Sequence, residues 1–127
     1  MIGGGGKIVS VSSPGSARVL PDYVVVGASK AALESLTRYL GVELIPKKIN
    51  VNAVSPGVVK TDALNHFNSM GSQDRILQEF IQRVPAGRLV APEEVAEVVA
   101  FLCSPAAEMI VGQTIAIDGG YTLPISK

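Results

Sequence analysis

An α/β fold built on a parallel sheet is predicted by three features of this 127-residue sequence. Short runs rich in β-branched residues alternate along the chain with segments whose apolar residues recur at spacings of three and four. Prolines and glycines stand at the ends of both kinds of segment. Apolar residues make up 47% of the chain and charged residues 17%, so there are enough apolar side chains to bury a core, which a disordered polar segment lacks. Alternation of strands and helices calls for parallel strands joined by right-handed crossovers, with functional loops at the carboxyl ends of the strands.

The elements follow in order. Residues 3–6 are four glycines that read as a flexible linker. They lead into residues 7–12, a short β-branched stretch expected to be a buried parallel strand. A dinucleotide-binding glycine fingerprint has to follow a strand and open a helix, and these glycines precede a strand instead. Residues 13–21 hold two prolines and Gly15 and read as a loop. Leu33, Leu36, Leu40 and Leu44 then share one helical face, and Pro46 stops the pattern. Ile49, Val51, Ala53 and Val54 form a second strand, ended by Ser55, Pro56 and Gly57. Ile76, Leu77, Phe80, Ile81 and Val84 repeat at helical spacing up to Pro85. Pro92 suits the first turn of a third helix, whose inner face is Val95, Val98, Val99 and Leu102. A last strand over 114–117 ends at Asp118, Gly119 and Gly120. Three strands with flanking helices leave a sheet edge and helix faces without partners, so further strands are expected upstream of Met1.

Composition excludes several functions. Eleven Lys and Arg balance eleven Asp and Glu, which leaves no long-range field to draw in nucleic acid or an anionic membrane. Lys47, Lys48, Arg75 and Arg83 are scattered in the manner of a solvated surface. Cys103 is the single cysteine; beside Leu102 and Val99 it is expected to be a small buried side chain in a reducing, cytoplasmic protein. Mean hydropathy is +0.36, yet no apolar run reaches the roughly 18 residues of a membrane span, and residues 1–7 lack the apolar centre of a signal peptide. The protein is therefore expected to be soluble. His66, the single histidine, lies among Leu64, Phe67 and Met70 with no second histidine or acidic cluster at metal-ligand spacing, so no metal site is expected.

An ordered set of short motifs remains. Ser12 and Ser13 close the first strand; Gly27, Ala28, Ser29, Lys30, Ala31 and Ala32 open the helix; Asn52 to Gly57 and then Thr61 follow the second strand. Pro92, Glu93, Glu94, Val95 and Ala96 come next, then Gly112, Gln113, Asp118, Gly119 and Gly120. Together these resemble the short-chain dehydrogenase/reductase family over nearly the whole chain. The resemblance implies the C-terminal part of a Rossmann-type doubly wound parallel sheet, its last three strands, with the N-terminal strands and the glycine-rich cofactor loop missing. Residues 1–127 are then one partial domain. It also implies a nicotinamide-dependent oxidoreductase, a homotetramer at full length, with Lys30, Pro56, Gly57, Val59 and Thr61 at the cofactor.

The family's usual pattern places the catalytic tyrosine four residues before the lysine, and Val26 stands there. Tyr23 lies seven residues before Lys30, a Tyr-x6-Lys spacing that resembles the enoyl-acyl-carrier-protein reductases, most of all their NADPH-dependent type III form. The implied catalytic residues are Tyr23, Lys30 and Ser13, the implied reductant NADPH with NADH left open, and the implied substrate an enoyl thioester on acyl carrier protein. The changed spacing has a chemical reason. Ketone reduction puts hydride on the carbon bearing the oxygen, whereas enoyl reduction puts it two bonds further away, so the group that stabilises the oxygen has to shift. Along a helix, seven residues return to about the same face as four, one turn of ~5 Å further on. Alternatives stay open: reduction of 3-oxoacyl or other carbonyl substrates, a non-catalytic assembly module, and for Ser13 a turn-forming hydroxyl.

Overall fold

The computed structural model describes residues 4–60 and 72–123. Three parallel strands, β1 (Gly6–Val11), β2 (Ile49–Pro56) and β3 (Thr114–Ile117), form a sheet in the order β1-β2-β3. The helices are α1 (Val24–Leu44), α2 (Ser72–Arg83) and α3 (Pro92–Leu102), with short 3-10 turns at Pro14–Ser16, Ile45–Lys47 and Pro105–Ala107. This is the expected α/β architecture, with the expected order of elements. The register pairs Ile8 with Val51 and Val11 with Val54, then Ala53 with Thr114 and Pro56 with Ile117.

β2 is the buried spine because, among the described residues, it alone is paired on both edges. Val51, Ala53 and Val54 are almost wholly inaccessible, and Val84, Val90, Leu102 and Ala107 complete the buried apolar set. Two polar residues sit among them. Asn50 Nδ2 donates to the Glu108 and Ile110 carbonyls at 2.8 and 3.0 Å, and its Oδ1 accepts from Lys7 Nζ at 3.0 Å. Asn52 Nδ2 donates to the Ile110 carbonyl at 2.9 Å, and Oδ1 accepts from the Gln113 N–H at 2.9 Å. Buried amides need such partners to offset their lost hydration. Both asparagines thereby tie the segment between α3 and β3 to the central strand.

Several expectations need correction. The first strand is half-buried, starts at Gly6 within the glycine run, and has one edge unpaired among the described residues. The loop over 13–21 contains a 3-10 turn. Leu36 is 51% exposed, while Leu33, Leu40 and Leu44 are half-buried. The residues of α1 that go under are Gly27, Thr37 and Gly41. A Cβ on Gly41 would lie 3.1 Å from the Gly112 backbone, so the helix approaches its neighbours through small residues and its leucines are left at the flanks. Cys103, expected to be buried, is exposed. It is the cap residue that follows the inaccessible Leu102, where α3 has ended.

Two polar groups hold the remaining junctions. Glu94, in the first turn of α3, accepts from the Ala91 N–H at 2.9 Å and from the Arg88 guanidinium at 2.6 and 2.9 Å. The Arg88 hydrogen bond, helped by that of Ala91, holds the Glu94 carboxyl at about 2. β3 ends at Asp118, whose carboxylate accepts from the Gly120 N–H (2.9 Å), the Thr122 N–H (3.2 Å) and Thr122 Oγ1 (2.7 Å). Burial pushes the Asp118 carboxyl up, and these hydrogen bonds outweigh it and leave it below its ordinary value. Among the described residues no helix is long and apolar enough to cross a membrane.

Candidate active site

The carboxyl ends of β1 and β2 carry the candidate residues, where parallel-sheet architecture leaves a crevice. β1 continues into Ser12, which is 5% exposed, donates its N–H to the Val54 carbonyl at 2.7 Å, and donates its hydroxyl to the Glu34 carboxylate. Glu34 lies four residues after Lys30 on α1, so the two emerge from the same side of the helix. Lys30 Nζ in turn donates to the Val11 carbonyl at 2.9 Å. Two side chains of one helix thus grip the last turns of one strand.

Ser13 comes next, and its hydroxyl has two partners. Its Oγ accepts from the Gly15 N–H at 3.3 Å, capping the Pro14–Ser16 turn, and lies 3.0 Å from the Tyr23 hydroxyl. Tyr23 precedes the helix as its N-cap residue and does not stand on it, so the spacing argument along a helical face does not describe its position. Asp22, in the left-handed region at φ 56°, turns the chain into that cap; Asp is one of the few residues that tolerates this conformation. The Tyr23 carbonyl accepts from the Gly27 N–H at 2.7 Å. Val26 sits in the first turn of α1, 41% exposed, with its carbonyl accepting from Ser29 Oγ at 2.7 Å. A cleft of about 530 Å³ opens beside the tyrosine, with Gly15, Leu20, Tyr23, Val24, Gly27 and Ala28 among its lining.

The loop leaving β2 forms the other side. The Gly57 N–H donates to the Ile117 carbonyl at 2.9 Å, and a Cβ at Gly57 would fall 2.8 Å from that of Asp118, so only glycine lets loop and turn meet there. Val59 forms an isolated parallel bridge with Val90, flanked by Val90 N–H to Val58 carbonyl (2.9 Å) and Lys60 N–H to Val90 carbonyl (2.8 Å). Pro56, Gly57 and Val59 are therefore fixed at the strand end, as the sequence suggests. Thr61 and His66 lie outside the described residues, as do Leu64, Phe67 and Met70.

Such a site offers a hydrogen-bonded Ser–Tyr hydroxyl pair, an ammonium group held at the strand end, and backbone fixed around Gly57. The set fits the nicotinamide ribose end of a dinucleotide, where a cation and hydroxyls meet a diol. It does not fit the pyrophosphate end, which calls for free N–H groups at the amino end of a helix directly following a glycine turn. Here β1 runs into a 3-10 turn capped by Ser13, and the N–H of Gly27 is already used by Tyr23. Sequence reasoning missed Glu34, Gly15 and the contact that Arg18 makes with the Thr122 carbonyl, which ties the tyrosine loop to the turn after β3. Of these only Glu34 left a trace in the sequence, its four-residue spacing from Lys30.

A family model described as enoyl-(acyl carrier protein) reductase matches residues 1–122. The chain is 42% identical over 119 residues to 1-cyclohexenylcarbonyl-CoA reductase of Streptomyces collinus, covering 94% of this chain and 42% of that protein. It is also 42% identical over 120 residues to the NAD-dependent glycerol dehydrogenase of Listeria innocua, covering 94% and 46%. The solved structure of 3-ketoacyl-(acyl-carrier-protein) reductase from Brucella melitensis, complexed with NADH, superposes with a TM-score of 0.80 at 37% identity, over 92% of this chain and 45% of that one. The chain spans about half the length of the curated relatives it matches.

Proposed function

Since the chain belongs to the short-chain dehydrogenase/reductase family, we propose that it supplies the catalytic half of a cytoplasmic, NADPH-dependent reductase acting on the C2–C3 double bond of enoyl thioesters carried by acyl carrier protein. The observation that carries this reading is the 3.0 Å contact between Ser13 Oγ and the Tyr23 hydroxyl, in a chain whose usual tyrosine position is Val26. The matching model's description and the Streptomyces collinus relative, whose name is that of an unsaturated acyl thioester reductase, point the same way.

A nicotinamide cofactor, when bound, supplies the hydride. Lys30 and the Pro56, Gly57, Val59 and Thr61 segment hold its nicotinamide ribose end. The Tyr23 hydroxyl would donate a hydrogen bond to the thioester oxygen, stabilising the charge that develops there as C3 is reduced. Ser13 orients the phenol by sharing its hydrogen bond, and a solvent proton completes C2. The enzyme assembles as a homotetramer, for which the exposed Val24, Val25, Tyr39 and Val42 of α1 provide apolar surface.

A second reading, reduction of 3-oxoacyl thioesters, is favoured by the likeness to the Brucella melitensis reductase. The two readings separate in an assay of the chain joined to the amino-terminal half of a full-length relative, with NADPH oxidation followed on crotonyl and acetoacetyl thioesters side by side. Crotonyl thioester is expected to turn over faster; the reverse order would overturn the enoyl assignment. Repeating the assay with NADH tests the cofactor. The 127-residue chain alone is expected to bind NADPH weakly, because no pyrophosphate cradle is found among its described elements. Micromolar affinity in a calorimetric titration would contradict this.

A further inference from the structure

We infer that Gly15 and Gly27 are positioning residues that seat the Tyr23 phenol against Ser13, so that one added methyl at either position moves the proposed hydrogen-bond donor out of place. The inference rests on the role proposed for Tyr23 and names what builds it.

The three residues interlock. A Cβ built on Gly15 would lie 2.4 Å from Cδ2 and 2.5 Å from Cε2 of the Tyr23 ring, far inside any real carbon–carbon contact. An aromatic ring is rigid and has to swing away as a unit. The hydroxyl at its far end then leaves its position 3.0 Å from Ser13 Oγ. A Cβ on Gly27 would lie 2.7 Å from the Gly15 carbonyl oxygen and 3.3 Å from its carbon. Those atoms are backbone and cannot rotate aside, so the loop has to retreat from α1. It takes Ser13 with it, because Ser13 Oγ is bonded to the Gly15 N–H at 3.3 Å. Gly27 also donates its N–H to the Tyr23 carbonyl at 2.7 Å, so the ring and the cap of the same residue are held by the two glycines.

Conformational freedom does not explain either glycine. Positive φ occurs at Gly5, Gly87, Gly112, Gly119 and Gly120, and at neither Gly15 nor Gly27. Alanine is therefore allowed at both by the backbone, and within α1 it is the better helix former. What remains is room for the ring and the loop. A tyrosine three residues ahead of the usual position can stand beside Ser13 only if that room is left. The grip of Lys30 on the Val11 carbonyl and of Glu34 on Ser12 lies outside the interlock, so the cation stays in place when the phenol moves.

The test uses the full-length joined enzyme with tyrosines labelled at Cζ, the Tyr23 resonance being identified by its loss in Tyr23→Phe. Gly15→Ala and Gly27→Ala are each expected to shift that resonance toward the position of the exposed Tyr39, and to lower kcat on the order of 10²-fold, the scale of losing an oxyanion donor. Gly15→Ala is expected to add no further loss in a Tyr23→Phe background, because both changes remove the same interaction. Gly27→Ala keeps the question open to measurement if Gly15→Ala does not fold. An unmoved resonance in the folded variants, or losses that multiply in the double variant, would overturn the inference. The resonance is read without substrate, so a shift supports the seating of Tyr23 even if the parent enzyme prefers acetoacetyl thioester, a result that overturns only the enoyl reading.

Discussion

Tyr23→Phe is expected to lower kcat for crotonyl thioester on the order of 10²-fold or more in the full-length joined enzyme, the usual scale for removing a general acid or an oxyanion donor. The substitution removes one oxygen and keeps the ring that packs on Gly15, so the loop and the start of α1 hold their places. Loss of that oxygen breaks the 3.0 Å contact with Ser13 and leaves the developing charge without its donor. Lys30→Ala acts differently. It removes the ammonium group bonded to the Val11 carbonyl and is expected to weaken cofactor binding as well as turnover. Steady-state kinetics with cofactor and thioester varied in turn separates the two, since Tyr23→Phe should leave the KM for NADPH nearly unchanged. Indifference of kcat to the Tyr23 hydroxyl would sink the proposed role.

The largest effect on stability is expected at Leu102. Its side chain is inaccessible to solvent and is the largest of the fully buried ones. It stands on the last turn of α3. Leu102→Ala removes three heavy atoms from a packed site and leaves a cavity, which costs about 2–5 kcal/mol depending on how far the surroundings collapse. Val19 is 99% exposed, and Val19→Ser serves as a control with an expected change within about 0.5 kcal/mol. Urea unfolding of the full-length enzyme checks both. The midpoint should fall for Leu102→Ala with an unchanged slope, which reports lost stability without a changed denatured state. A shift no larger than that of the control would show that α3 does not bear on the core as described.

How much of the protein was legible depends on how local each determinant is. Strand and helix positions were legible because β-branched runs and three-four spacing act over a few residues, and Pro46, Pro85 and Pro92 mark helix ends whatever surrounds them. The placement of Ser13, Pro56 and Gly57 at strand ends followed from the same local signals combined with the carboxyl-end rule for parallel sheets, whereas Lys30, a residue of α1, reaches the end of β1 through a contact made in the fold. The exposure of Leu36 was not legible because a periodic pattern names a helical face without saying which part of that face meets the sheet, and that of Cys103 because apolar neighbours do not fix where a side chain at a helix end points. In α1 the meeting is made by Gly27, Thr37 and Gly41, small residues that carry no hydrophobic signal.

By itself the sequence determined the class of fold, the order of its elements, the family and the displacement of the tyrosine from position 26 to position 23. These rest on backbone preference, on apolar periodicity and on residue identity, all of which can be read along the chain. Only the tertiary structure decided that the displaced phenol reaches Ser13, that Glu34 grips Ser12, that Asn50 and Asn52 go under with every polar atom satisfied, and that Gly15 and Gly27 leave the space for the tyrosine ring. Each of these is a contact between segments brought together by folding. Its energy depends on distances of a few tenths of an ångström, which no spacing along the chain encodes.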